Sequence, residues 1–206
     1  MILQILFLFL FVVITQSVIY VIKKNRDELF WRQNEFKNFG YKVHGTTVWR
    51  SRSVAVTAFI YYINDIGEVF VLANKRGNGT PDYQGYWNVP CGYLDFNESG
   101  EEAAAREVYE ETGVKIKPDC LKLVSTNTKP TQNKQNVSFR YCAFVNNMFV
   151  KDNPLTTKHC EEDEVEDVQW VNLFDIKNKE WAFNHDKLIP EIHEEYTAMK
   201  NMGKCI

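Results

Sequence analysis

Apolar and polar positions divide the chain into three stretches with different periodicities. Residues 1–22 carry no charged side chain, and as a helix rising about 1.5 Å per residue they would span the roughly 30 Å hydrocarbon core of a bilayer. The pattern predicts a transmembrane anchor. The alternative is a signal peptide built on the apolar run Ile5 to Ile14, although it lacks the positive leading region such peptides carry. Lys23, Lys24 and Arg26 follow at once, so the expected topology is single-pass with the remainder of the chain in the cytoplasm. Residues 23–40 read as a juxtamembrane amphipathic segment, with Phe30, Trp31 and Phe36 on its apolar side and Gly40 at its end.

From residue 41 to residue 206 the pattern is that of one mixed domain. Ser53 to Ile63 and Glu68 to Ala73 read as strands joined by the turn Asn64-Asp65-Ile66-Gly67. A polar, glycine-rich loop from Asn74 to Pro81 carries Lys75 and Arg76 and precedes a strand from Trp87 to Gly92. Leu121 to Thr126 and Val137 to Val145 read as further strands, and alternation in the second turns Arg140 away from the core. A closing helix from Asp186 to Met199 places Ile189, Ile192, Tyr196 and Met199 at helical spacing. Five cysteines without a C-x-x-C pair fit neither a disulfide framework nor a zinc ribbon. A net charge of −3 argues against a nucleic-acid surface, which needs a basic excess.

The stretch Gly92 to Val114 changes the picture from architecture to chemistry. Ser99 as N-cap, Glu102 three residues on and Gly113 as the left-handed stop predict a helix from Gly100 to Thr112. On it Glu107, Glu110 and Glu111 stand at i, i+3 and i+4 and share one face. A solvated acidic helix would also look like this. The whole frame decides: Gly92, Glu98, then Arg106-Glu107-Val108-Tyr109-Glu110-Glu111-Thr112-Gly113-Val114 at fixed spacing. It resembles the signature of the Nudix hydrolases in every fixed position. The resemblance implies a mixed sheet between helices, an α/β/α sandwich, and cleavage of a nucleoside diphosphate linked to another moiety.

It also implies roles for residues of this chain. Glu107, Glu110 and Glu111 match carboxylates that hold Mg2+ or Mn2+, hard cations that prefer oxygen ligands. Arg106 and Glu98 match a charge pair that orients Glu107, and Gly92 matches a close backbone approach to the metal. One of Glu161, Glu162 and Glu164, in the acidic run before Val165, is expected to supply a further ligand or the base. Arg76 and Arg140 are candidate diphosphate contacts. Pro130 resembles a residue that accompanies ADP-ribose hydrolysis in the family, so a small ADP-ribose-like nucleotide is the favoured substrate. A silent nucleotide-sensing domain and an mRNA cap hydrolase are the alternatives.

Overall fold

Ser99 and Gly113 delimit the central helix by capping chemistry. In the computed structural model, which describes residues 14–23, 39–44, 46–130 and 135–201, that helix runs Gly100–Thr112 and is here α2. Ser99 Oγ accepts from Glu102 N at 3.2 Å and Glu102 Oε2 accepts from Ser99 N at 2.7 Å, so two end donors are satisfied reciprocally. Gly113 closes the helix at φ 76°, a conformation that a Cβ disfavours.

The chain divides into two units, residues 1–52 and Ser53–Ile206. The first contains a helix over residues 14–23, α1, and a hairpin of β1 (Phe39–Val43) and β2 (Thr46–Arg50) paired antiparallel. Here the expected membrane anchor is overturned: among the described residues no helix is long and apolar enough to cross a membrane. The described part of α1 contains the polar residues Thr15, Gln16 and Ser17. The single-pass topology, the membrane contact through residues 1–22 and the cytoplasmic placement derived from them fall together. The run Ile5 to Ile14 lies outside the described residues except for Ile14. So does the juxtamembrane segment, save that Phe39 and Gly40 open β1 and do not end a helix.

The second unit is built on a seven-stranded mixed sheet. Its main path is β5 (Trp87–Asn88), β4 (Val69–Arg76), β3 (Val54–Ile63), β8 (Val137–Val145), β7 (Lys122–Asn127). To it are added β6 (Cys91–Tyr93) against β3 and β9 (Val165–Asn172) against β4. The β3–β4 turn is held by Asn64, whose Oδ1 accepts from Ile66 N and Glu68 N at 3.1 and 2.8 Å. Expected as one strand, Trp87 to Gly92 is two, because Pro90 has no N–H for a ladder.

Both faces of the sheet are covered. Val56, Ala58, Ile60 and Leu72 pack with Ala103, Ala104 and Val108 of α2 on one side. On the other, Phe59, Tyr61, Val71 and Ala73 pack with Ile189 and Ile192 of α4 (His185–Asn201). This is the expected α/β/α layering. A short α3 (Asn147–Asp152) follows β8. Arg140 sits on β8 with the parity of Cys142, which belongs to the cluster under α4, whereas Tyr141 and Ala143 belong to the one under α2.

Replacing Ser99 by Ala removes one end of the capping pair and is expected to lower unfolding free energy by about 1 kcal/mol. Urea melts of the two proteins measure the difference, and a midpoint unchanged by Ser99→Ala would show that tertiary packing alone sets the helix start.

Candidate active site

Four carboxylates and one guanidinium meet where α2 crosses β6. Arg106 Nε and Nη2 donate to Glu98 Oε2 and Oε1 at 3.1 and 2.8 Å, a bidentate fork. Nη2 also reaches Tyr93 O at 3.0 Å. Nη1 donates to Glu107 Oε1 at 2.8 Å and to Glu110 Oε2 at 3.0 Å. Glu98 Oε1 further accepts from Asp95 N at 2.7 Å, so the loop that Arg106 ties to the helix is also closed on itself. Asn97, inside that loop, takes φ 66°, a backbone state in which asparagine is enriched. These hydrogen bonds, the one from Arg106 first, hold Glu98 below the usual carboxylate range.

Glu107 and Glu111 experience the opposite. Burial pushes the Glu107 carboxyl up to about 7, with Arg106 opposing and the charges of Glu110 and Glu164 adding to the rise. Burial also drives Glu111 well above the usual range, followed by the charges of Glu107 and Glu164. Glu111 is 4% exposed, and its Oε2 accepts from Cys91 N at 3.1 Å. A Cβ on Gly92 would overlap the Glu107 carboxylate, so only glycine lets β6 approach the helix this closely. The Cys91 thiol is pushed up to about 12, chiefly by burial, and is therefore protonated and no nucleophile at neutral pH.

The remaining sequence candidates are distributed unevenly. Glu164 is half-buried and its charge reaches both Glu107 and Glu111, while Glu161 and Glu162 are exposed. Arg76 is 9% exposed, and its Nε and Nη2 donate to Asp82 O and Oδ1 at 3.0 and 2.8 Å. Its charge nonetheless lowers the proton affinity of Glu111. Pro130 is exposed beyond β7. Among the described residues, no hydrogen bond or ion pair joins Pro130, Arg140, Glu161 or Glu162 to the α2 glutamates.

One supporting residue has no sequence signal. His185, 3% exposed at the start of α4, accepts from Val89 N through Nδ1 at 3.1 Å and so fastens the segment entering β6. An isolated histidine carries no spacing pattern that would point to it. Asn74 and Asn88 are opposed across β4 and β5, both buried, and each leaves its Oδ1 without a hydrogen-bond partner.

A divalent cation fits this donor set by chemistry. The glutamates are all-oxygen ligands, crowded together, and burial raises the proton affinities of Glu107 and Glu111, which a nearby positive charge would relieve. Among the described residues no group of three or more His, Cys, Asp and Glu side chains is already gathered around one point. Arg106 draws Glu107 and Glu110 to itself, which accounts for the difference between the donor chemistry and their present positions.

The sheet, its layers and this carboxylate frame define a class, and the comparisons name it: the model of the NUDIX domain matches residues 52–192, and the chain belongs to the Nudix hydrolase family. Nudix hydrolase 2 of Arabidopsis thaliana is 29% identical over 139 residues, 67% of this chain and 45% of that protein. The NAD-capped RNA hydrolase NudC of Haemophilus influenzae is 27% identical over 136 residues, 66% of this chain and 42% of that protein. The chain thus matches less than half the length of either relative. Among solved structures, the NUDIX domain of Shewanella oneidensis NrtR complexed with ADP ribose superposes with a TM-score of 0.58 at 21% identity. That match covers 82% of this chain and 98% of that one. A MutT/nudix family protein from Enterococcus faecalis gives 0.51 at 24%, covering 71% and 50%. At these identities the structural matches establish the fold.

The raised carboxyls make cation-free stability depend on pH with a definite sign. Glu107 moves from the ordinary 4.5 to about 7 on folding, so the folded chain retains a proton that the unfolded chain releases. Its contribution is fully present below pH 4.5 and is lost as pH rises through about 7. Glu111 acts in the same direction. With chelator present, the melting temperature is expected to fall across that window, and Glu111→Gln to flatten the fall and raise the melting temperature at pH 8. A scan in which Glu111→Gln destabilises at pH 8 would contradict the assignment.

Proposed function

We infer that the chain is a metal-dependent pyrophosphohydrolase that cleaves the diphosphate of a nucleoside diphosphate linked to another moiety, with an ADP-ribose-like substrate. The observation that carries this is the group of crowded glutamates on α2, Glu111 among them buried and Glu107 half-buried, facing β6 at a glycine. Glu107, Glu110 and Glu111 would hold Mg2+ or Mn2+, with Glu164 close to two of them. When bound, the cation supplies positive charge that offsets the diphosphate oxygens and eases attack by water.

The chain's own residues supply orientation and proton transfer. Arg106, anchored by Glu98 and Tyr93 O, fixes the direction of Glu107 and Glu110. A carboxyl near neutrality is suited to accept a proton from the attacking water at physiological pH, since base catalysis is most effective when pKa lies near the working pH. One of the α2 glutamates or Glu164 would take that proton. Water adds to one phosphorus, the bridging P–O bond breaks, and the products are a nucleoside monophosphate and the phosphate ester of the other moiety.

The substrate choice rests on Pro130, and the ADP ribose bound to the NrtR domain agrees with it. Arg76, buried behind Asp82, shapes the electrostatics beside Glu111; it would contact a diphosphate only after releasing Asp82. Arg140 lies on the sheet face under α4 and would reach a substrate only at the sheet edge.

Glu107→Gln keeps size and removes the titrating oxygen, so turnover should drop about 100-fold or more. ADP-ribose should exceed nucleoside triphosphates and capped RNA in kcat/KM, and chelation should abolish its hydrolysis. Unaltered nucleotide binding without hydrolysis in the wild-type protein would favour a sensing module. A triphosphate or a capped RNA as best substrate would reject the ADP-ribose reading and leave the carboxylate chemistry in place.

A further inference from the structure

The glycine-rich loop after β4 has N–H groups of the kind that cradle phosphate, yet two of them are already used within the fold. Gly77 N donates to Glu164 O and Gly79 N donates to Asp163 O, each at 2.8 Å. A Cβ on Gly77 would overlap the Asp163 carbonyl, and one on Gly79 would lie 2.8 Å from Glu162 O, closer than a real Cβ comes to backbone. Two backbones therefore meet where no side chain can stand between them.

Each partner in that contact is stiff. On the loop side, Thr80 N and Oγ1 donate to Gly77 O at 3.3 and 2.8 Å. Gln84 Nε2 donates to Asn78 O and Thr80 O, both at 2.9 Å, and Arg76 N and Gly85 N close the loop base through Tyr86 O and Arg76 O at 2.9 and 2.8 Å. On the other side Glu164 N donates to Glu161 O at 3.2 Å, and Asp163 takes φ 59°, so residues 161–164 form a tight turn. The turn leaves Glu161, Glu162 and Asp163 in solvent and only Glu164 half-buried, with its charge felt at Glu107 and Glu111.

We propose that Gly77 and Gly79 form a backbone seat that fixes Glu164 beside the α2 glutamates, so that the glycine loop serves the site by placing a fourth carboxylate and not by binding phosphate itself. Glu164 is the last turn residue before β9, 53 residues beyond Glu111 in the chain, and among the described residues no hydrogen bond from α2 holds it. A rigid loop docked on the turn supplies that constraint. Gly77 and Gly79 are positioning residues. The inference rests on the hydrolase reading above.

The test is a double-mutant cycle in the full chain with Mg2+ and the best diphosphate substrate. Glu164→Gln and Gly79→Ala are each expected to lower kcat by about 10-fold or more with little change in KM, since the affected carboxylate acts on the reaction and not on substrate capture. The double variant should be no slower than the slower single variant, because both changes remove the same placed group. Multiplicative losses, or full activity in Glu164→Gln, overturn the proposal. Asn78→Ala, between the glycines with its side chain in solvent, should keep wild-type turnover; an equal loss there would overturn the specific role of the two glycines.

A second readout needs no glycine variant and no turnover. Mg2+ should slow hydrogen exchange at the Gly77 and Gly79 amides of the wild-type chain, and Glu164→Gln should abolish that slowing. Exchange indifferent to Mg2+ overturns the seat. If no diphosphate is hydrolysed, the hydrolase reading fails and this exchange measurement still decides whether the glycines couple to the carboxylate group.

Discussion

Arg106 is the interaction on which the site depends. Its guanidinium has five N–H donors in one plane, and they are spread over Glu98, Glu107, Glu110 and the Tyr93 carbonyl. Without that positive charge, Glu107, Glu110 and Glu111 would be crowded on one helix face with two of them taken out of water. The arginine also reconciles two competing demands. The loop before α2 must be fixed so that β6 and Gly92 can lie against the helix, and the crowded carboxylates of α2 must be held next to one another. Glu98 takes the tight bidentate end, and Glu107 and Glu110 share a single nitrogen.

The same contrast appears in the proton affinities. Glu98 is lowered because its hydrogen bonds outweigh its burial, and Glu111 is raised because one N–H from Cys91 cannot offset nearly complete burial. Carboxylates of one residue type, within fourteen positions of one another (111 − 98 = 13 steps), are thus pushed in opposite directions by their surroundings. A division of labour between structural and reactive carboxylates follows from burial and hydrogen bonding alone.

What could be read from sequence was local. The cap residues of α2, the Asn64 turn, the apolar run of β3 and the alternation of β8 are short-range signals, and each element formed where its pattern placed it. Long-range placement was not legible. Gly77 and Gly79 read only as part of a polar loop because the residues they abut, Asp163 and Glu164, are more than eighty positions away in the chain. His185 gave no signal because its value lies in one hydrogen bond to Val89, on another element. Hydropathy overreached at the N-terminus: an uncharged stretch has the composition of a membrane span, yet among the described residues no helix is long and apolar enough to cross one. The acidic run after Cys160 held three equivalent candidates in sequence, and the turn at Asp163 separates them by leaving Glu164 alone half-buried.

The register of the sheet has a kinetic consequence. β3 lies parallel to β8, with Val54 opposite Val137, and β4 pairs with β9, with Arg76 opposite Val165. Glu164 therefore joins the α2 glutamates only after the ladder between the distant β4 and β9 has closed, and such distant pairings are slow to form. A nascent chain emerging from the ribosome has α2 and its glutamates long before β9 is synthesised. Through that interval the helix has no Glu164 beside it and its apolar face has no complete sheet to cover it. The exposure of that face to proteases and to other chains is then governed by how soon the last strands arrive.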